Sequence, residues 1–402
     1  MDGAELRFDI NDIDRAFTDA PYPTLAHLRR ESPVHENADG SVFLTRYADV
    51  QKVYQSRDML SDKTVEFGKK FGKCPLHTHH TTSLVFNDPP WHTVVRKLLA
   101  GAFTPRKLAE FEPLIDGIVD RLLDRVEDMG SFDMIDDFAK VLPTEIISFM
   151  LGVPEDIRPQ LRGYSLAILG ALDPVVPQDR LDAGNAAVTE FSAVLSDLID
   201  HRRANPDGAA QGEVLEALIF GEHDGTRLGQ EELIQNCIFL LNAGHETTTS
   251  LVGNAVGTLL DHPDEHRRLI QEPGLINTAV EEFLRVESPL QIGNRLAGED
   301  IELEDRVLPK GTYIHTSIAA ANRDPAQFDE PDRVDIGRKP NRQIAFITGI
   351  HVCLGATLAR IEGRIAIGKL VDRFPDLAAD GPRERLPLAR FRGFTRLPVS
   401  VG

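Results

Sequence analysis

Phe346-Ile347-Thr348-Gly349-Ile350-His351-Val352-Cys353-Leu354-Gly355 is the stretch whose chemistry organises the rest of the chain. Behind it, Leu354, Leu358, Ile361 and Ile365 recur at helical spacing with Arg360, Glu362 and Arg364 between them, so an amphipathic helix begins just after Cys353. A thiol at a helix N-terminus has its thiolate favoured by the helix dipole and by backbone N–H groups without partners inside the helix. Gly349 and Gly355 allow turns and close backbone approach on either side. Read by itself, such a sulfur binds iron, acts as a nucleophile, or is an inert buried thiol, the common fate of a free cysteine.

Outward from this loop the sequence is mostly helical. The longest pattern runs over Gln230–Asp261, where Ile234, Ile238, Leu241, Leu251, Val252 and Leu259 are among apolar positions covering most of the circumference. A helix apolar nearly all round belongs inside a large protein, and Pro263 ends it. Other helical stretches are expected at 24–31, 91–102, 108–151 (broken at Gly130), 155–170, 185–204 and 275–286. Residues 41–45 follow an Asp39-Gly40 turn signal and read as a strand; 295–318, punctuated by Gly298 and Pro309-Lys310-Gly311, reads as short strands and turns. The expected fold is therefore mainly α, a large helical domain with a small β-rich lobe. With no repeat, low-complexity tract or linker, 1–402 is expected to be a single domain.

The central helix is interrupted by Ala243-Gly244-His245-Glu246-Thr247-Thr248. Gly244 costs about 1 kcal/mol relative to alanine in a helix interior. Glu246 is polar where an unpaired charge is expensive. The Thr247 hydroxyl reaches the carbonyl of Ala243, four residues back, and can bend the helix. The stretch is either a solvent-facing polar notch or a local opening that admits dioxygen and a water.

Composition narrows the function. With 44 basic and 63 acidic residues the formal charge is −19, which disfavours nucleic acid and anionic membrane surfaces as partners. Three cysteines, Cys74, Cys237 and Cys353, make no disulfide framework or zinc-finger spacing and suit a reducing compartment. The N-terminal stretch is acidic without an apolar core, and the most apolar run near the middle, 237–241, falls far short of the roughly 20 residues of a membrane span. A cytoplasmic protein, off the membrane, is expected.

The run Phe346–Gly355 resembles the haem-binding loop of the cytochrome P-450 family at every fixed position; only Ile347 departs, where that loop usually has glycine or another small residue. Further likenesses fall in the family's order. Asp88-Pro-Pro-Trp-His92-Thr-Val-Val-Arg96 resembles its haem-facing helix, Ala243–Thr248 its oxygen-activation motif, Glu282-Phe-Leu-Arg285 its Glu-x-x-Arg pair, and the run from Phe328 to Arg333 the meander whose arginine joins that pair. The likeness spans about 86–360.

This resemblance implies a soluble haem-thiolate monooxygenase: haem b with Cys353 as axial ligand, and insertion of one oxygen atom from dioxygen into a small-to-medium hydrophobic substrate. It implies that Glu246 and Thr247 deliver protons; that His92, Arg96, Arg295 and His351 meet the haem propionates; and that Ala243, Gly244, Phe346 and Gly355 lie against the cofactor. Substrate contacts are expected from the loop 76–86, the apolar helix about 166–176, residues 240–243 and 290–294. The histidines of 76–86 read as solvated loop residues; a metal site lacks the spacing. The length leaves no room for a flavin or nicotinamide domain, so electrons are expected from a ferredoxin or flavodoxin with its reductase, docking on the basic stretch Arg338, Lys339, Arg342. The rivals are a peroxide-driven haem enzyme and a haem-free cysteine-nucleophile enzyme or helical binding module. His351 is poorly placed as a base for Cys353 if it faces a propionate.

Overall fold

The computed structural model describes residues 8–101, 103–206, 213–304 and 306–401. The first seven residues and the expected helix end at Ala102 lie outside them. The helix Gln230–Asp261 runs through the middle of the chain's largest apolar cluster. Its start is fixed by the Glu232 carboxylate, which accepts the Gly229 N–H at 2.7 Å, and Pro263 opens the next helix. Among the helices that pack against it are Val141–Leu151, Arg158–Gly170, Gln178–Ala204 and Ala356–Arg373. Each buried Leu or Val side chain it contributes is worth about 1.5–3 kcal/mol, so its all-round apolarity is what makes it the axis of the fold.

The largest sheet forms a lobe of its own, while short strands at 131–133, 378–379 and 384–400 pair beside the helical core. One sheet has the order Val34–Glu36, Val42–Leu44, Tyr313–Ser317, Ile292–Ala297 and Met59–Leu60. The pairing of Val42–Leu44 with Tyr313–Ser317 is parallel and the rest antiparallel. The N-terminal and 295–318 segments thus build one lobe, as expected. Register matters here because it places Arg295 opposite Ile314 on an inner strand.

The helix expected about 166–176 ends at Gly170, and two larger expectations fail. Residues 76–86 are not a loop: Pro75–Thr82 is a helix, followed by a 3₁₀ turn at Leu84–Phe86. Threonine and histidine are poor helix formers, but packing overrides propensity. The central helix reaches over with Asn236, whose side chain accepts the Leu84 N–H, and Gln235, which bonds the His79 ring at 3.0 Å. His79 and His80 are accordingly buried, not solvated.

The second failure concerns Arg333. The fully buried Glu282–Arg285 pair is bidentate, with both contacts 2.8 Å. The third cation is Arg338, whose Nε lies 3.2 Å from Glu282. Arg333 contributes only its carbonyl, to Arg285, while its exposed guanidinium pairs with Glu330. Arg338, once a candidate for docking, is therefore committed to the interior network.

Candidate active site

Cys353 stands at the end of a tightly folded loop. Its N–H donates to the Phe346 carbonyl at 3.0 Å, and the Ile347 N–H donates to Ile344 at 2.9 Å. Gly349 has φ +77°, and an added methyl there would lie 2.0 Å from the Tyr54 carbonyl oxygen, so glycine is required on both counts. Ile347 also takes a positive φ, 51°, which explains why the related loops favour glycine there. Gly355 differs: its φ is −83° and nothing within the protein crowds it. Phe346 is capped by the Arg360 guanidinium, 4.5 Å above its ring.

The sulfur combines two properties that ordinarily exclude each other. Cys353 is accessible, yet enough protein surrounds it that burial pushes its thiol above the ordinary value. The N–H groups of Gly355 and Ala356 and the charges of Arg96 and Arg360 oppose that shift. The sulfur is thus reachable although protein surrounds most of it.

The central helix is accessible on one face. Between Leu233 and Leu259 every residue is buried except Phe239, Ala243, Gly244 and Thr247. Their spacing of four, one and three places them on one face. Thr247 Oγ donates to the Ala243 carbonyl at 2.5 Å, the expected helix-bending bond. Beside Gly244 an added methyl would meet only Ile147, at ordinary contact distance. Glu246 is 1% exposed. Burial pushes its carboxyl up to about 7, against the pull of Arg162. Arg162 lies 3.8 Å away, an ion pair but longer than a hydrogen bond, and continues at 2.9 Å to the more exposed Asp136, itself paired with Lys140. His245 is fully buried and driven down to about 3 by desolvation, so it stays neutral.

Basic side chains gather near the cysteine. The His92 and His351 rings are tilted against each other with centroids 4.1 Å apart, and burial lowers both imidazoles, His92 to about 4. His351 Nε2 lies 3.0 Å from Ser61 Oγ and 3.8 Å from Asp88. Arg96 donates to the Val352 carbonyl at 2.6 Å. Arg295 bonds the Asn294 carbonyl and lies 4.9 Å from the Tyr54 ring. Among the described residues no carboxylate lies within ion-pair distance of Arg96 or Arg295, and the buried His92 Nε2 has no partner.

Comparison with known proteins decides the family. The cytochrome P450 family description matches residues 35–391. The chain belongs to the cytochrome P450 family. It is 38% identical to the vitamin D(3) 25-hydroxylase of Pseudonocardia autotrophica, over 96% of this chain and 95% of that one. It is 37% identical to the cytochrome P450 monooxygenase PikC of Streptomyces venezuelae, over 97% and 93%. The crystal structure of P450BioI in complex with hexadec-9Z-enoic acid ligated acyl carrier protein superposes with TM-score 0.90 at 33% identity, covering 96% of this chain and all of that one. Members bind haem through a cysteine thiolate and are monooxygenases, and so is this protein. No helix among the described residues is long and apolar enough to cross a membrane.

The residues fit a P450 haem. An accessible thiol, an accessible stripe on the otherwise buried central helix, and Arg96 and Arg295 without carboxylate partners are the features that such a cofactor requires. Sequence reasoning missed Ser61 and Arg162, which carry no local motif. It quoted Asp88 without a role; the Asp88 carboxylate accepts the N–H groups of Ser61 and Asp62, some 27 residues away, which no local pattern announces.

Proposed function

We propose that Cys353 would hold the haem iron through its thiolate and that this P450 oxidises a small-to-medium hydrophobic molecule, by C–H hydroxylation or a related insertion. The observation that carries the reading is the pairing of an accessible Cys353 just before a helix with an accessible stripe, Phe239, Ala243, Gly244 and Thr247, on an otherwise buried central helix. The haem, when bound, supplies dioxygen activation, with the thiolate pushing electron density toward O–O cleavage. His92, Arg96, Arg295 and His351 would hold its propionates, and Arg suits carboxylates because its fork is bidentate. Phe346, Gly355, Ala243 and Gly244 border it.

Glu246 holds a proton at its carboxyl near neutral pH because burial raises it to about 7. Arg162 and Asp136 lead from that carboxyl toward solvent. Thr247 Oγ, on the open stripe, is the hydroxyl that passes a proton inward. The apolar positions Leu169, Leu172, Leu290, Leu388 and Phe391 cluster together and line the substrate side. A relative of known structure holds a fatty acyl chain, in keeping with an apolar guest. Electrons come from a separate ferredoxin or flavodoxin with its reductase, docking over Lys339 and Arg342, which are exposed. A cytoplasmic setting, consistent with three free cysteines, belongs to the same reading.

The test is the spectrum of reduced, carbon-monoxide-treated protein made with ample haem precursor. Native protein should show the Soret band of thiolate-ligated haem. Cys353→His should move the band to the imidazole-ligated position and abolish oxygen insertion. Native protein without iron, or a thiolate band retained in Cys353→Ala, sinks the assignment.

A further inference from the structure

Three basic side chains near the proposed substrate side have no carboxylate partner. Lys63 is 2% exposed, and the bond found for its ammonium is to the Ser61 carbonyl at 2.7 Å. Lys70 donates to the Asp173 carbonyl at 2.7 Å. Arg390, 7% exposed, donates to the carbonyls of Leu172 and Ile292 at 2.9 and 3.0 Å. Among the described residues no carboxylate oxygen lies within 4 Å of any of the three side chains. Carbonyl partners satisfy hydrogen bonds but leave the net charge uncompensated, and a buried charge without a counter-charge costs several kcal/mol.

These cations act on one another. Lys63 is pushed down by burial first and then by Arg295 and Arg390; Lys70 falls to about 8 through burial and Arg390. The nearest acids are already engaged. Asp173 accepts the backbone N–H groups of Ala389 and Arg390 and lies 3.6 Å from Arg180. Asp88 accepts from Ser61 and Asp62 and faces His351. In the same neighbourhood His80 is 1% exposed with neither ring nitrogen partnered. Burial and the nearby cations, Lys70 and Arg390 among them, keep it neutral. Lys70 is accessible although protein desolvates its ammonium, the same signature Cys353 shows. Around this charge the surface is apolar: Phe67, Phe71 and Phe86 flank the lysines, with ring centroids 5.3–5.9 Å from the ammonium groups.

We infer that the substrate carries a carboxylate, held by Lys70 and Arg390, with its apolar body directed past the Leu169–Leu388–Phe391 cluster toward Cys353. This rests on the P450 reading and adds an acid end to the hydrophobic substrate. Arg390 is the rigid half, since its guanidinium is fixed by two carbonyls. Lys70 is the mobile half, since one bond to Asp173 leaves two N–H donors. Lys63 supports the field from behind, nearer Arg295 and His351. The residue types exclude an amine guest and leave an ester or alcohol without its counter-charge.

The test uses the haem-loaded protein and a matched set: octanoate, dodecanoate and hexadecanoate, their methyl esters, and dodecylamine. Binding is read from the spin-state change in the visible spectrum at low salt. At least one acid should bind about tenfold or more tightly than its ester, the scale of one charge-assisted contact, and dodecylamine should bind most weakly. Lys70→Met should weaken the acid about tenfold and leave its ester within about twofold. Arg390→Lys, which keeps the charge but not the fork, should weaken the acid less than Lys70→Met does. Equal binding of acids and esters by native protein, or no acid binding at any length, overturns the inference, as does a Lys70→Met variant that weakens both alike. A native protein with no thiolate-haem spectrum defeats the P450 assignment instead, and the two failures are told apart before any titration begins.

Discussion

Ile347 holds a backbone conformation that its side chain opposes. Its φ of 51° lies in the left-handed region, where a β-branched residue is a true outlier. The loop imposes it, because the Ile347 N–H must reach Ile344 while Phe346 offers its carbonyl to Cys353. The strain of such a residue is about 1–2 kcal/mol. Ile347 also packs against the apolar cluster of the strand lobe, so part of the strain is offset. Comparing Ile347→Gly with Ile347→Ala removes that packing from both. Alanine ordinarily exceeds glycine in stability through its smaller unfolded-state entropy. Here the order should reverse, with the glycine variant more stable by about 1 kcal/mol. Urea midpoints of the two haem-loaded variants measure it, and an alanine variant equal to or above glycine would mean that the loop relaxes away from the left-handed region. The same residue shows what sequence can reveal: the departure from glycine was visible, but the sign of φ behind it needed coordinates.

At the scale of the element, the central helix couples a buried acid to an open stripe. The Glu246 carboxyl, raised to about 7, is mostly protonated below that pH and ionised above it. If it delivers protons, turnover coupled to product should fall as pH rises past 7. Glu246→Gln should lower that turnover by about 10²-fold and erase the inflection. Linkage gives an independent sign. The folded value lies above the unfolded one of about 4.3, so the unfolded chain ionises first and stability declines as pH climbs from that value toward 7. The glutamine variant should therefore match native protein near pH 4 and gain about 1–3 kcal/mol over it by pH 8, read from denaturant midpoints. An unchanged pH profile would remove Glu246 from proton delivery.

The helix itself was legible because length and all-round apolarity leave few alternatives; its predicted span, Gln230–Asp261, is the observed one. The Pro75–Thr82 helix was not legible. It is set by Asn236 and Gln235, some 150 residues away, and not by its own threonines and histidines. The third member of the Glu282 network was misassigned for a related reason. Arg333 and Arg338 are five residues apart in an irregular segment, where no periodicity tells which guanidinium turns inward.

Over the whole molecule, charge is distributed unevenly enough to direct its encounters. The chain carries a formal −19, yet the segment leading into the Cys353 loop presents Lys339 and Arg342 to solvent. Arg338, next to them, points inward to Glu282 and is unavailable. Under the proposed docking, the net charge would repel an acidic electron carrier in general and this segment would attract it locally, so a small basic patch would have a large effect on orientation. Arg342 suits the role because its side chain is exposed while its carbonyl, bonded by the Tyr47 hydroxyl at 2.8 Å, anchors the backbone. Arg342→Glu should lower the second-order rate with a ferredoxin carrier about tenfold at low ionic strength. The deficit should shrink toward unity above about 0.5 M salt, where the screening length falls to a few ångströms. Substrate-induced spectral shifts should be unaffected, since the side chain is exposed to solvent. A deficit that persists unchanged at high salt would mean that Arg342 supports the loop's structure, and a rate equal to native at low salt would place carrier docking on another face.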